Sequence, residues 1–180
     1  YENPILDPEL RAGTLGNRHT GARSLLGLLL LTEAAYAAAV TVGGMAADNL
    51  ALHTGVVAFE CMLLVLGVTA AGATTLATEH ETHVLDLLRV TPLSPAQIVL
   101  GKLSGLLRSL LPCVAVPFLH LAFASLYVDI LSPLALLAFP LAAVVAMGTW
   151  ALAGMVQSLE QTDPRRSIVR AMGLFGIFGV

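Results

Sequence analysis

Apolar positions in this chain come in long continuous runs rather than at the spacing of a half-buried helix. Four of them reach the ~20 residues that an α-helix needs to cross a bilayer: roughly 24–46, 54–77, 103–127 and 133–157. A fifth begins near Ser167 and occupies 167–180, too short to cross as it stands. The pattern predicts an all-α fold, a polytopic transmembrane helical bundle with four complete spans and a truncated fifth. Residues 24–180 form that transmembrane domain, and 1–23 form a polar N-terminal segment with room for an interfacial helix.

The one long polar interruption, Glu79 to Lys102, lies between spans two and three. On a helical wheel of 100° per residue, Val84, Leu85, Leu87 and Leu88 share one side. Glu79, Thr82, His83, Asp86 and Arg89 share the other. This predicts an amphipathic helix over about 79–90, too short and too polar to span. Pro92 and Pro95 stop it, because the residue before a proline avoids helical angles. "SPAQ" then restarts a helix, with Ser94 as N-cap, Pro95 in the first position and Gln97 three residues after the cap. Two readings of the polar face stand side by side: a solvated loop, or a docking surface for a cytoplasmic partner.

Composition agrees with the runs. Hydrophobic residues are 57% and charged residues 12% of the chain, with a mean hydropathy of +0.84. A soluble domain carries about 25% charged residues, so lipid must solvate much of this surface. The chain opens on Tyr1 rather than Met and ends at Val180 inside an apolar run, and so reads as a fragment of a longer protein. No cleavable signal peptide is predicted, since the first run follows the polar stretch 1–23.

Charge supplies an orientation. In an alternating topology the nine basic residues fall on one side. Arg11, Arg18 and Arg23 precede span one; Arg89 and Lys102 lie between spans two and three; Arg165, Arg166 and Arg170 lie between spans four and five. Arg108 sits just inside span three, from where its side chain can snorkel back. The opposite loops, Asp48 to His53 and Val128 to Ser132, carry no Lys or Arg. By the positive-inside rule the N-terminus and the polar stretch are cytoplasmic. Basic residues are few, and no aromatics interleave them, so nucleic-acid binding is not predicted.

Polar groups inside the runs are functional candidates, because charge at membrane depth is costly. Glu60 lies near the outer end of span two, where an interfacial position accounts for it. Glu33, deeper in span one, either lines a cavity or pairs with Arg108. His120 in span three reads as a buried, hydrogen-bonded histidine. Cys61 and Cys113 read as small buried hydrophobes. Pro112, Pro117 and Pro140 fit helix packing, and "EAAYAAAV" together with Gly101 and Gly105 would allow close helix approach. "HETH" invites a metal reading, but His80 and His83 are three apart, about 60° on the wheel, and no further His or Cys cluster completes a site. No metal site is predicted.

"ATEHETHVLDLLRVTPLSPAQIVLGKLSGLL" resembles the signature of type 2 ABC transporter permeases, the membrane subunits of ABC exporters. Glu79 and Glu81 match the paired acids of that signature. Leu85, Asp86, Leu87 and Leu88 match its helix, with Asp86 in place of the usual glutamate. Thr91, Pro92, Leu93 and Ser94 match its turn, and Gly101 with Lys102 match the opening of its third span. His83 and Val84 depart from the glycine-threonine common there. The match covers 73–107, and "ENPILDPELR" looks more weakly like the leader of one subgroup.

The resemblance implies a coupling helix at 79–90, docked on a separate cytoplasmic ATPase that binds ATP and Mg. The chain itself would bind no cofactor: "VLGKLS" lacks the first glycine of a phosphate loop and the strand before it. It further implies a second permease copy, as a homo- or heterodimer, in a bacterial or archaeal plasma membrane. Lipids, glycans, peptides and drugs are equally compatible as substrates. A non-transporting anchor or regulatory subunit is the alternative, and an intramembrane enzyme comes third.

Overall fold

The computed structural model describes residues 15–81, 94–128, 132–160 and 163–178, with side chains over 21–77, 94–126, 128, 132–160 and 163–173. Five helices make up these residues: α1 (Leu15–Thr41), α2 (Leu50–Glu81), α3 (Pro95–Val128), α4 (Pro133–Glu160) and α5 (Pro164–Phe178). No strand occurs among the described residues. Four helices have the length and apolar character to cross a membrane, over Gly21–Thr41, Leu50–Ala77, Pro95–Leu126 and Pro133–Glu160.

Local chemistry sets the helix starts. Asn49 Oδ1 accepts from the Leu52 amide (3.2 Å), Ser132 Oγ from Ala135 (3.2 Å) and Asp163 Oδ1 from Arg165 (2.9 Å). At α3 the cap is reciprocal: the Gln97 amide donates to Ser94 Oγ (3.3 Å), and the Ser94 amide donates to Gln97 Oε1 (2.8 Å). Each cap satisfies an orphan amide of a first turn. Three of them are followed directly by proline, which loses nothing at that position because its missing N–H had no helical partner. The box at "SPAQ" forms as its sequence requires.

The end of α1 departs from the predicted span. The helix stops at Thr41 rather than near Ala46; the Val42 and Gly43 amides both donate to the Ala38 carbonyl (2.9 and 3.1 Å). Gly44 then takes φ +67, a left-handed turn that L side chains resist. Pro112 and Pro117 lie within α3, and Pro140 within α4, without ending either helix.

Leu25, Leu29, Leu64, Val68, Leu106, Leu110, Met147 and Met155 form the common core of α1 to α4. Cys113 packs into it as a free thiol, and Cys61, also free, is half-buried. The tightest crossing joins α2 and α4. A Cβ on Gly72 would run into the Ala151 carbonyl, and one on Gly154 into the Thr69 carbonyl and the Ala73 amide. The close approach expected of "EAAYAAAV" is not made there, since Ala34, Ala35, Ala37 and Ala38 are exposed. Gly101 is buried and Gly105 half-buried. At the start of α5, Ser167 Oγ donates to the Ala73 carbonyl of α2 (2.8 Å), tying the fifth helix to the bundle.

Candidate functional site

Helical spacing gathers polar side chains at one end of the bundle. On α1, Glu33 and Tyr36 are three apart and share a face; on α2, His53 and Glu60 are seven apart, about two turns. His120 comes from the last third of α3. The connection 42–49 is short, so α1 and α2 run antiparallel and bring their polar faces together near it. His120 Nδ1 is 2.9 Å from Glu33 Oε1, and His120 Nε2 is 3.1 Å from His53 Nδ1. His53 Nε2 donates to the Ala47 carbonyl at 2.8 Å. The Tyr36 ring closes the cluster, 4.7 Å from His120 and 5.4 Å from His53 between centroids.

Burial is uneven across this chain of groups. His53 is 0% exposed and His120 3%, whereas the Glu33 side chain is 28% exposed. Glu33 and His120 border a cavity of about 220 Å³, walled by Leu30, Val116, Leu119 and Phe123. Glu60 is 0% exposed. Neither of its carboxyl oxygens has a hydrogen-bond partner among the described residues, and Glu33 is close enough to act on it as a charge.

Of the two places expected for Glu33, the cavity is found and the Arg108 pair is not. Glu33 pairs with His120; Arg108 lies twelve residues earlier on α3, roughly 18 Å along the axis, and is exposed. Glu60 is fully buried and faces the bundle, two turns along α2 from His53. The expected buried, hydrogen-bonded His120 is found. Lys102 stands within α3 rather than in a loop and is 2% exposed, because the cap at Ser94 starts the helix eight residues before it. Glu79 and Glu81 fall in the last turn of α2. Their side chains, and Thr82, His83, Val84, Leu85, Asp86, Leu87, Leu88, Arg89, Thr91 and Pro92, lie outside the described residues.

His53 and Tyr36 are members that the sequence pattern did not single out. The available signal was companionship: each buried acid has a second polar residue at helical spacing on its own helix. Pairing across helices 67 and 87 residues apart in sequence is invisible to any local window.

The outer surface is reversed relative to a water-soluble protein. Leu126 is 81% exposed, Leu134 79%, Leu137 72% and Leu141 70%, while His53, Glu60 and His120 are inside. In water such apolar faces would associate; in lipid they are the solvated side. Several Ser and Thr hydroxyls on the helices are satisfied by carbonyls three or four residues back, as with Thr32 on Leu28 and Ser125 on Leu121. The chain is an integral membrane protein. Comparison with protein-family models, with curated proteins and with solved structures finds no match.

Proposed function

We propose that this integral membrane bundle is the permease subunit of an ATP-driven ABC exporter, hydrolysing nothing itself and coupled to a separate cytoplasmic ATPase. The reading rests on the resemblance of residues 73–107. The observation that best supports it is the reciprocal Ser94–Gln97 cap. It starts a long apolar helix at the point where the resemblance needs the turn to end, with Gly101 and Lys102 about two turns into that helix. In this proposal Glu79, Glu81, Thr82, His83, Asp86 and Arg89 meet the ATPase, and Val84, Leu85, Leu87 and Leu88 hold the coupling segment to the bundle. A second copy of the permease completes the transporter in a bacterial or archaeal plasma membrane.

Orientation belongs to the same proposal, with the basic end cytoplasmic because the described Arg23, Lys102, Arg165, Arg166 and Arg170 share it with Arg89 in the sequence. Cysteine labels at position 48 are expected to react from outside sealed cells and labels at 163 only after the membrane is opened. The reverse pattern would invert the bundle and remove the coupling segment from the ATPase's side.

Coupling is tested by reversing both charges, Asp86→Lys with Arg89→Glu. Insertion and folding are expected to persist. Capture of the partner ATPase should slow on the order of 10-fold, since charges at an interface rim govern encounter and register. Transport should fall while the isolated ATPase keeps its basal rate. Leu87→Asp with Leu88→Asp should instead damage the permease, by placing charge on a packed face. Normal transport and normal copurification by the double reversal would reduce the polar face to a solvated loop.

A further inference from the structure

Hydrogen-bond accounting in the buried cluster fixes how many protons it needs. Ala47 contributes a carbonyl, which only accepts, so His53 Nε2 carries a hydrogen. The remaining contacts, His53 Nδ1 to His120 Nε2 and His120 Nδ1 to Glu33 Oε1, each require one hydrogen between their two atoms. Three arrangements satisfy all the contacts. In the first, Glu33 is a carboxylic acid donating to His120 Nδ1, and both imidazoles are neutral, each with its hydrogen on Nε2. In the second, the Glu33 proton has moved to His120 Nδ1, giving a carboxylate and an imidazolium. In the third, the hydrogen between the rings has moved from His120 Nε2 to His53 Nδ1, and the imidazolium is His53.

All three arrangements hold the same three protons and the same net charge of zero over the three side chains; they differ only in where the shared protons sit. Take one proton away, leaving a carboxylate and two neutral imidazoles, and one contact has no hydrogen. Either two nitrogen lone pairs face each other at 3.1 Å, or the carboxylate faces a bare ring nitrogen at 2.9 Å. Inside a low-dielectric bundle either vacancy leaves a polar atom of the cluster without the hydrogen it needs.

We propose that Glu33, His120 and His53 form a proton-binding site that holds one exchangeable proton shared along the three side chains. The Glu33 end is the less enclosed one: its side chain is 28% exposed and borders the cavity of about 220 Å³. The other end stops at the Ala47 carbonyl, which cannot pass a proton on, so the site stores a proton rather than conducting one across the bundle. Glu60 is the second observation: a fully buried carboxyl without a donor, next to Glu33. As a carboxylic acid it can donate to Glu33, which makes it the natural neighbour for a proton entering or leaving.

The groups facing the site are Glu33 and Tyr36 from α1, His53, Glu60 and Cys61 from α2, and His120 from α3. The acids and bases of α4 and α5, Glu160, Asp163, Arg165, Arg166 and Arg170, lie at the opposite end. A metal ion does not suit the geometry: the ring nitrogens point at one another rather than at a common centre, and no group of three such ligands among the described residues is placed to hold one. The site is independent of the exporter reading, since it depends only on contacts within the bundle.

The test uses the full chain in lipid nanodiscs at neutral pH, with ¹⁵N-histidine labelling read by NMR and carboxyl stretches read by infrared spectroscopy. Wild type is expected to show the third proton, either as a protonated Glu33 carboxyl or as an imidazolium on His120 or His53. Glu33→Gln should lose that signal and leave two neutral imidazoles, because an amide can complete the contact to His120 Nδ1 without the extra proton. A wild-type spectrum with ionised Glu33 and two neutral imidazoles overturns the proposal, and does so even if a variant fails to fold. Persistence of the third-proton signal in Glu33→Gln overturns it equally.

Discussion

Gly154→Ala is expected to lower the thermal stability of the bundle by about 1–3 kcal/mol, the usual cost of forcing extra volume into a packed site, and Gly154→Leu by more. The added Cβ meets the Thr69 carbonyl and the Ala73 amide, which are backbone atoms and cannot swing aside. Gly72→Ala should behave alike, because its Cβ meets the Ala151 carbonyl on the other side of the same crossing. Two substitutions calibrate the effect. At Gly67 the added carbon meets only the tip of the Leu25 side chain, at 2.8 Å from Cδ2, so a rotamer change relieves part of the clash. At Gly55 nothing lies within 4 Å, and alanine should be neutral or slightly stabilising through helix propensity. Thermal unfolding in detergent should rank Gly55→Ala above Gly67→Ala, and that above Gly72→Ala and Gly154→Ala. Equal melting temperatures for Gly55→Ala and Gly154→Ala would mean that α2 and α4 do not cross this closely. Helices in lipid gain little from hydrophobic burial against one another, so backbone approach through small residues carries much of their association.

The second large effect has the opposite sign. Glu60→Leu is expected to stabilise the bundle by about 1–3 kcal/mol, the penalty of a buried polar group left without a hydrogen bond. The carboxyl is 0% exposed and neither oxygen accepts from a donor among the described residues, so an apolar side chain of similar length gives up at most its contact with Glu33. Glu60→Gln should give less, because its amide is still polar but can donate toward Glu33. Melting temperature read beside the proposed transport separates two roles. If that transport falls while the bundle becomes more stable, Glu60 is kept for function at the expense of stability. If Glu60→Leu instead lowers the melting temperature, the carboxyl has a partner in the folded protein and the account of its burial fails.

Much of the architecture is legible along the chain because lipid imposes a simple rule. A span must be long, apolar and internally hydrogen-bonded, so runs of sequence become helices almost one for one. The caps are legible for the same local reason: "SP" before Ala96 and before Leu134, and "DP" before Arg165, supply an oxygen and a preset φ within a few residues of where they act. Even the misplaced end of α1 had its signal in Gly43 and Gly44, where the apolar run continues but the backbone turns.

The cluster was only half legible. Glu33, Glu60 and His120 stand out as polar residues at membrane depth, yet local spacing says nothing about which helices touch. It offered a cavity or Arg108 for Glu33, of which the structure shows the cavity and supplies His120 as the partner, and it gave Glu60 an interfacial place. What only the tertiary structure decided is the rotation and mutual approach of α1, α2 and α3. Those bring His120 between Glu33 and His53 and leave Glu60 without a donor. The close crossing was hidden likewise: Gly72 and Gly154 look like any glycines in a membrane helix until the opposing backbone is in place. Hydropathy is a property of each segment and can be read one residue after another. Which side chains meet depends on helix rotation and packing between segments, where contributions of a few kcal/mol from far along the chain select one arrangement.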